Sequence, residues 1–270
     1  MDLDHVTEIL APRDRAALPD WRPHDAFLAG GTWVFSEPQP NIRRLIDLTA
    51  LAWPPLTLTD ERFEIAATCS ISQLASFELT GTAAGPLVEN CCRALLGSFK
   101  IWNMATVGGN LCLALPAAPM AALATALQGT CIIWTKSGSR EIATEHFITD
   151  NQQNALRAGE VLRAVIIPRA ALNWRHAFRQ ISLTPHGRSA ALLIGSIGND
   201  SGEFALTVTA ATRRPLRLCF PRLPDAQALQ DRLAADIPGA LYHDDLHGAP
   251  AWRRAMTSHL AEQIRQELSA

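Results

Sequence analysis

Two glycine clusters, Leu28-Ala29-Gly30-Gly31-Thr32 and Ala105-Thr106-Val107-Gly108-Gly109-Asn110, constrain this chain more than any other feature. Each pairs two glycines with a short polar side chain and follows an apolar or mixed segment. Glycine reaches φ > 0 without steric penalty and lets a backbone or a ligand come close. Successive exposed amides in such a turn form a concave nest of donors suited to an anion such as a diphosphate. One cluster alone reads as a tight turn. Two of matching chemistry predict a site gripped from two sides.

Around these clusters the pattern is mixed. Val6, Ile9 and Leu10 predict a first helix over 3–18, ending before Pro19. Short strands are expected beside the first Gly-Gly and at Leu45-Ile46-Asp47-Leu48. Arg62 to Ala67 alternates with period two, the mark of a half-buried strand. A short helix follows, capped by Ser70 or Ser72, and another over 86–97. Met120, Leu123, Ala124 and Leu127 have helical spacing that Gly129 ends, with Pro119 tolerated in the first turn. Thr130 to Trp134 reads as a strand, with its turn at Lys136 to Ser139, and a last strand runs from Val161 to Ile167 before Pro168.

The texture changes near 169–173. Residues 174–182, 189–197 and 203–211 predict three strands, the last two joined by a hairpin at Gly198-Asn199-Asp200-Ser201-Gly202. Two helices are expected at about 225–236 and 250–268. Trp252, Met256, Leu260, Ile264 and Leu268 form an apolar stripe on the second.

The 270 residues are 48% hydrophobic and 19% charged, with a net charge of −2. That composition belongs to ordinary globular proteins and gives no electrostatic reason for nucleic-acid or membrane binding. Neither a signal peptide nor an apolar run of membrane-spanning length is visible, so a cytoplasmic location is the simplest expectation. No G-x-G-x-x-G, no G-x-x-x-x-G-K-[ST] and no G-x-S-x-G occurs. The six cysteines contain no C-x-x-C and suit neither zinc nor an iron–sulfur cluster. They read as buried thiols, with Cys112 close enough to the second cluster to line a site. His243-Asp244-Asp245-Leu246-His247 has metal-ligating residue types, but its glycine and proline flanks favour a loop. His186-Gly187-Arg188-Ser189 suits an anion or, more simply, a turn. Trp33 is either a core aromatic or a face on which a ring stacks.

Taken together, these residues resemble the FAD-binding medium subunit of the molybdenum hydroxylases, the group of xanthine dehydrogenase and carbon monoxide dehydrogenase, over nearly the whole chain. Phe27 to Thr32 is similar to the family's first flavin loop, and Ala105 to Asn110 to its second. Leu45 to Leu48, Phe63 to Ala67 and Ile71 to Leu74 resemble the intervening elements. Ala158-Gly159-Glu160-Val161-Leu162, leading to Ile166-Ile167-Pro168, resembles the stretch that brings a leucine to the flavin. Phe178-Arg179-Gln180 corresponds to a basic residue near it. Asp245, Gly248 and Trp252-Arg253-Arg254 resemble the small C-terminal domain.

The resemblance implies an α+β fold. A two-subdomain, PCMH-type FAD-binding domain over 1–170 would precede a small C-terminal domain over 171–270, with a three-stranded antiparallel sheet and helices. It implies FAD held by Leu28, Ala29, Gly30, Gly31, Thr32, Trp33, Thr106, Val107, Gly108, Gly109, Asn110, Leu162 and Arg179. The diphosphate would rest on the amides of both loops, and Arg179 would favour reduced flavin. No catalytic dyad and no metal site are expected. The implied partners are a molybdenum-cofactor large subunit, a 2Fe-2S small subunit and a soluble acceptor such as NAD or oxygen. This chain departs from the family pattern at Trp33, where an acidic residue is common, at Trp102, where an arginine is common, and at Leu115 and Pro119, the latter where an aspartate is usual. Two readings stand: an electron-transfer flavoprotein, and a scaffold subunit with weakened or lost FAD binding. A free-standing flavin oxidase, a third, lacks an obvious substrate domain.

Overall fold

The computed structural model describes residues 3–270; Met1 and Asp2, the start of the expected first domain, lie outside the described residues. The helix expected over 3–18 is absent. Strand β1 (Glu8–Leu10) stands there instead, parallel to β3 (Arg44–Asp47), which also pairs with β2 (Asp25–Leu28). Pro12 explains the difference, because it lacks an N–H and its ring clashes with a preceding helical turn. Arg44 and Asp25 fasten this sheet through paired hydrogen bonds of 2.8 and 2.5 Å. The guanidinium holds the Asp25 carboxyl below the ordinary carboxylate range.

Strands β4 (Leu56–Leu58) and β5 (Arg62–Ala66) form a hairpin. Helix α1 (Ile71–Ala75) opens on a capping box. The Ser70 hydroxyl accepts from the Gln73 amide, and the Gln73 side chain accepts from the Ser70 amide. Both orphan donors are thereby satisfied. Next come α2 (Gly85–Ala94), α3 (Phe99–Met104), α4 (Val107–Leu113) and α5 (Pro119–Ala126). All eight residues of α5 are buried. Strands β6 (Thr130–Trp134) and β7 (Ser139–Ala143), helix α6 (Thr144–Phe147), the small pair β8 (Ile148–Asp150) and β9 (Gln153–Asn154), and β10 (Val161–Pro168) follow. The main sheet has the antiparallel order β4-β5-β10-β6-β7.

The C-terminal sheet has four strands, not the three expected: β11 (Arg175–Ile181), β12 (Ala191–Ile197), β13 (Phe204–Thr209) and β14 (Leu216–Phe220), in that order. The fourth alternates Leu216, Leu218 and Phe220 with Arg217 and Cys219. The Arg213-Arg214-Pro215 run ahead of it has a loop composition, and this masks the strand. Helices α7 (Ala226–Asp236) and α8 (Pro250–Ser269) cover one face, while α5 packs against the other. Burial on both faces explains why β12 and β13 read as near-continuous apolar runs. The buried stripe of α8 is Arg253, Thr257, Leu260, Ala261, Ile264 and Leu268. Trp252 and Met256, expected on it, are only partly covered.

Candidate cofactor site

A cavity of about 850 Å³ opens between the first glycine loop, the α2–α3 corner, α4, the start of β10 and the β11–β12 turn. That size lies within the range of cofactor pockets. Its wall is mostly aliphatic and aromatic, with a few polar groups converging on it.

The first cluster continues directly from β2. Gly31 has φ +69°, a left-handed conformation that favours glycine. Gly30 packs so tightly on α3 that a methyl group there would overlap the Met104 carbonyl oxygen. The loop turns outward, with the carbonyl oxygens of Gly31 and Trp33 accepting from the Phe35 and Ser36 amides. The five N–H groups of Gly30, Gly31, Thr32, Trp33 and Val34 meet no acceptor among the described residues. All five residues line the cavity. These are the amides that a donor nest of the expected kind would use.

The second cluster is different. It is not a loop but the N-terminus of α4, capped by Thr106, whose hydroxyl accepts from the Gly109 amide at 3.0 Å. The Val107 amide donates to the Cys69 carbonyl at 2.9 Å and the Gly108 amide to the Ala67 carbonyl at 2.8 Å. The Asn110 amide donates to the Thr106 carbonyl. Among the described residues only the Thr106 amide of this turn meets no acceptor, so the expected second nest of successive free amides does not form. Gly108 serves packing: a Cβ there would lie 2.6 Å from the Ala67 oxygen. Its lack of a side chain brings α4 hard against the end of β5.

Side chains of α4 still reach the site. Asn110 lines the cavity while its Oδ1 accepts from the Met120 amide, fixing the start of α5. Leu162 lines it from β10, beside a bulge at Arg163. A bulge re-aims the neighbouring side chains. Arg163 points away, lies over the Trp53 ring and pairs with Glu64 at 3.1 Å. Ala29, Gly30, Gly31, Thr32, Trp33, Thr106, Gly108 and Gly109 also line the cavity. Leu28, Val107 and Arg179 do not. Strand alternation turns Arg179 toward α8, where it pairs with Glu267 at 2.6 Å. Trp102 donates its indole N–H to the Leu95 carbonyl and stays outside the wall. Pro119 is buried at the first turn of α5.

A family model described as "FAD binding domain in molybdopterin dehydrogenase" matches residues 4–170. The chain belongs to that family. It is 24% identical to the glyceraldehyde dehydrogenase medium chain of Sulfolobus acidocaldarius over 193 residues, 68% of each chain. It is 35% identical to the caffeine dehydrogenase subunit beta of Pseudomonas sp. strain CBB1 over 123 residues, 44% of this chain and 41% of that one. The fold matches a chain of quinoline 2-oxidoreductase from Pseudomonas putida 86 with TM-score 0.81 at 18% identity, covering 99% of this chain and 98% of that one. The protein is therefore an oxidoreductase subunit of the molybdenum hydroxylase group, and its cofactor is FAD. The free amides of Gly30 to Val34, opening on a long apolar cavity, fit that dinucleotide.

Sequence reasoning missed much of the wall. Leu95, Leu96 and Ile101 at the α2–α3 corner line the cavity, as do Leu113 and Leu115 past α4. Their apolar character carries no signal that separates a wall from a core. His186, Gly187 and Arg188, favoured in sequence as a plain turn, form that turn and also line the cavity, with His247 beside them. Among the described residues Glu160 is the one carboxylate on the wall, and Arg140 neutralises it through bonds of 2.9 and 2.5 Å. That pairing holds the Glu160 carboxyl below its ordinary range. Cys112 is on the wall as well, and burial pushes its thiol up to about 12, which makes it inert.

His243 to His247 forms a loop. Among the described residues no group of three or more His, Cys, Asp or Glu is arranged to hold a metal ion. Asp245 instead pairs with Arg253, which is 1% exposed. The same guanidinium donates to Gly248 O at 2.8 Å, Ala190 O at 2.7 Å and Ala210 O at 2.5 Å. One buried cation thus ties together the β11–β12 turn, the end of β13 and the loop before α8.

Proposed function

We propose that this chain is the electron-transfer subunit of a multisubunit molybdenum hydroxylase, taking electrons from a partner's iron–sulfur clusters and passing them to an external acceptor. The observation that carries this reading is the row of five unpaired amides at Gly30 to Val34 facing a dinucleotide-sized cavity. FAD, when bound, supplies the redox chemistry, and the protein supplies position and electrostatics. The amides of Gly30 to Val34 would donate to its diphosphate, and the Thr32 hydroxyl and Asn110 Nδ2 would add donors. Trp33 and Leu162 give flat and apolar walls. Leu95, Leu96 and Ile101 exclude water from the α3 side.

Family membership and the names of the similar proteins support membership of a multisubunit complex, whose other members we take to be a molybdenum-cofactor large subunit and a 2Fe-2S small subunit; a soluble acceptor such as NAD or oxygen completes the proposed route. They support a division into an FAD-binding domain over 1–170 and a C-terminal domain over 171–270. No described helix is long and apolar enough to cross a membrane, and we read the complex as cytoplasmic.

The test is the visible spectrum of the chain purified with its partners. Oxidised-flavin bands and a stoichiometric release of FAD support electron transfer. A colourless chain, even after incubation with FAD, overturns it and leaves the scaffold reading.

A further inference from the structure

Among the described ionisable groups on the cavity wall, only one carries a permanent charge without a partner. Glu160 is neutralised by Arg140, and Cys112 is a protonated thiol. His186 and His247 are imidazoles. Arg188 makes no ion pair and no side-chain hydrogen bond among the described residues, yet it lines the cavity. Its place is set from below. Arg253 fixes Ala190, two residues on, and the Thr184 carbonyl accepts from the Gly187 amide, one residue back.

Arg188 also lies at a definite end of the cavity. The free amides of the first loop stand where Gly30 meets Met104, ahead of the N-terminus of α4. Arg188 lines a smaller adjoining cavity with Leu115, Pro116 and Ala117, past the C-terminus of α4. The seven-residue helix α4, about 10 Å long, runs along the wall beside both. With the diphosphate seated on the amides of the first loop, a cation on the Leu115 to Ala117 side would face one of the cofactor's ring systems. Of the two ring systems in FAD, only the flavin gains charge: uptake of two electrons and one proton leaves it with one negative charge.

We propose that Arg188 is the residue of this chain that favours the reduced, anionic flavin over the oxidised form, the part that family resemblance assigns to Arg179. This rests on the FAD reading above. Arg179 is excluded by geometry, since it pairs with Glu267 on the opposite face of the sheet. Because Arg188 is solvent-exposed, its field is screened by salt.

The experiment measures the midpoint potential of FAD bound to the full chain, using dithionite as the electron source and a reference dye, for wild type, Arg188→Ala, Arg188→Lys and Arg179→Ala. Thermal unfolding serves as the folding control, and Arg188→Ala should leave it unchanged. Arg188→Ala should lower the preference for reduced over oxidised FAD about tenfold, a potential about 30 mV more negative for this two-electron couple. The gap should shrink in high salt. Arg188→Lys should restore most of the potential, and Arg179→Ala should leave it in place. An unmoved potential in Arg188→Ala, or an equal fall in Arg179→Ala, overturns the proposal while the FAD reading stands. A wild-type chain that binds no FAD overturns both.

Discussion

Gly30 lies against the carbonyl oxygen of Met104 so closely that no side chain fits between them. Two segments far apart in sequence are thereby joined at the point where the first glycine loop leaves β2 and the second glycine cluster begins. The direction of the Gly30 to Val34 amides is set by the end of α3, not by the loop alone.

Gly30→Ala should therefore disturb both stability and binding. The added methyl forces a backbone shift of the kind that costs about 1–3 kcal/mol. FAD affinity should fall at least tenfold as the amide row turns. Denaturant unfolding together with a flavin titration measures both, and an unchanged affinity would show that the row does not hold the diphosphate.

Asn110 has two duties that one substitution separates. Asn110→Asp keeps the acceptor for the Met120 amide, so the unfolding midpoint should hardly move. It removes the Nδ2 donor and places a negative charge in the cavity, so FAD should bind at least tenfold more weakly, the scale of the about 1.5–3 kcal/mol of a charge-assisted bond. Asn110→Leu should lower stability as well. Equal FAD affinity for wild type and Asn110→Asp would remove this residue from the site.

Arg253 is the anchor of the C-terminal sheet. Arg253→Met removes the guanidinium donor from three carbonyls and from the Asp245 carboxylate, which keeps only the His247 amide and the His243 contact. Removing one member of a buried charged network costs about 3–5 kcal/mol. Urea unfolding should show a loss of that order, with Arg253→Lys recovering part of it. A loss below about 1 kcal/mol, the scale of an ordinary surface ion pair, would contradict the anchoring role.

His176, on β11, is held neutral. Burial pushes its pKa down to about 4, with Nδ1 at 2.9 Å from the Ser196 hydroxyl and Nε2 unpartnered. The unfolded chain binds the proton more readily, so stability is full above about 6.5 and is lost as pH falls toward 4. The loss is on the order of 3 kcal/mol at about 1.4 kcal/mol per pKa unit. Unfolding midpoints between pH 7.5 and 4.5 should fall more steeply for wild type than for His176→Gln, and parallel curves would remove His176 as the cause.

Local signals carried the strands and helices whose causes are local. The helix start at Ser70 or Ser72, the Arg62 to Ala67 alternation and the α8 stripe from Leu260 onward were legible because short-range chemistry decides them. The site was legible in part. Gly30, Gly31 and Asn110 announced themselves by residue type. The role of Gly108 did not, because whether an amide is free or bonded depends on Ala67 and Cys69, some forty residues away. Arg179 was misplaced for a related reason: motif position fixes a residue on a strand, whereas the pleat decides which face it serves. The aliphatic wall and Arg188 depend on how the C-terminal sheet meets α4, a tertiary fact with no local trace.

The internally bonded amides of Val107 to Asn110 change what the two glycine motifs report about a chain of this kind. A descendant that had abandoned its cofactor would still need the second motif to close its own interior, because Val107, Gly108 and Gly109 bind only neighbouring protein groups. Among the described residues the amides of Gly30 to Val34 have no such protein partners, but Gly30 and Gly31 are themselves fixed by the Met104 contact and by a left-handed backbone. A survey that counts either glycine pair therefore counts folded chains, and the coenzyme has to be measured rather than read from the motif.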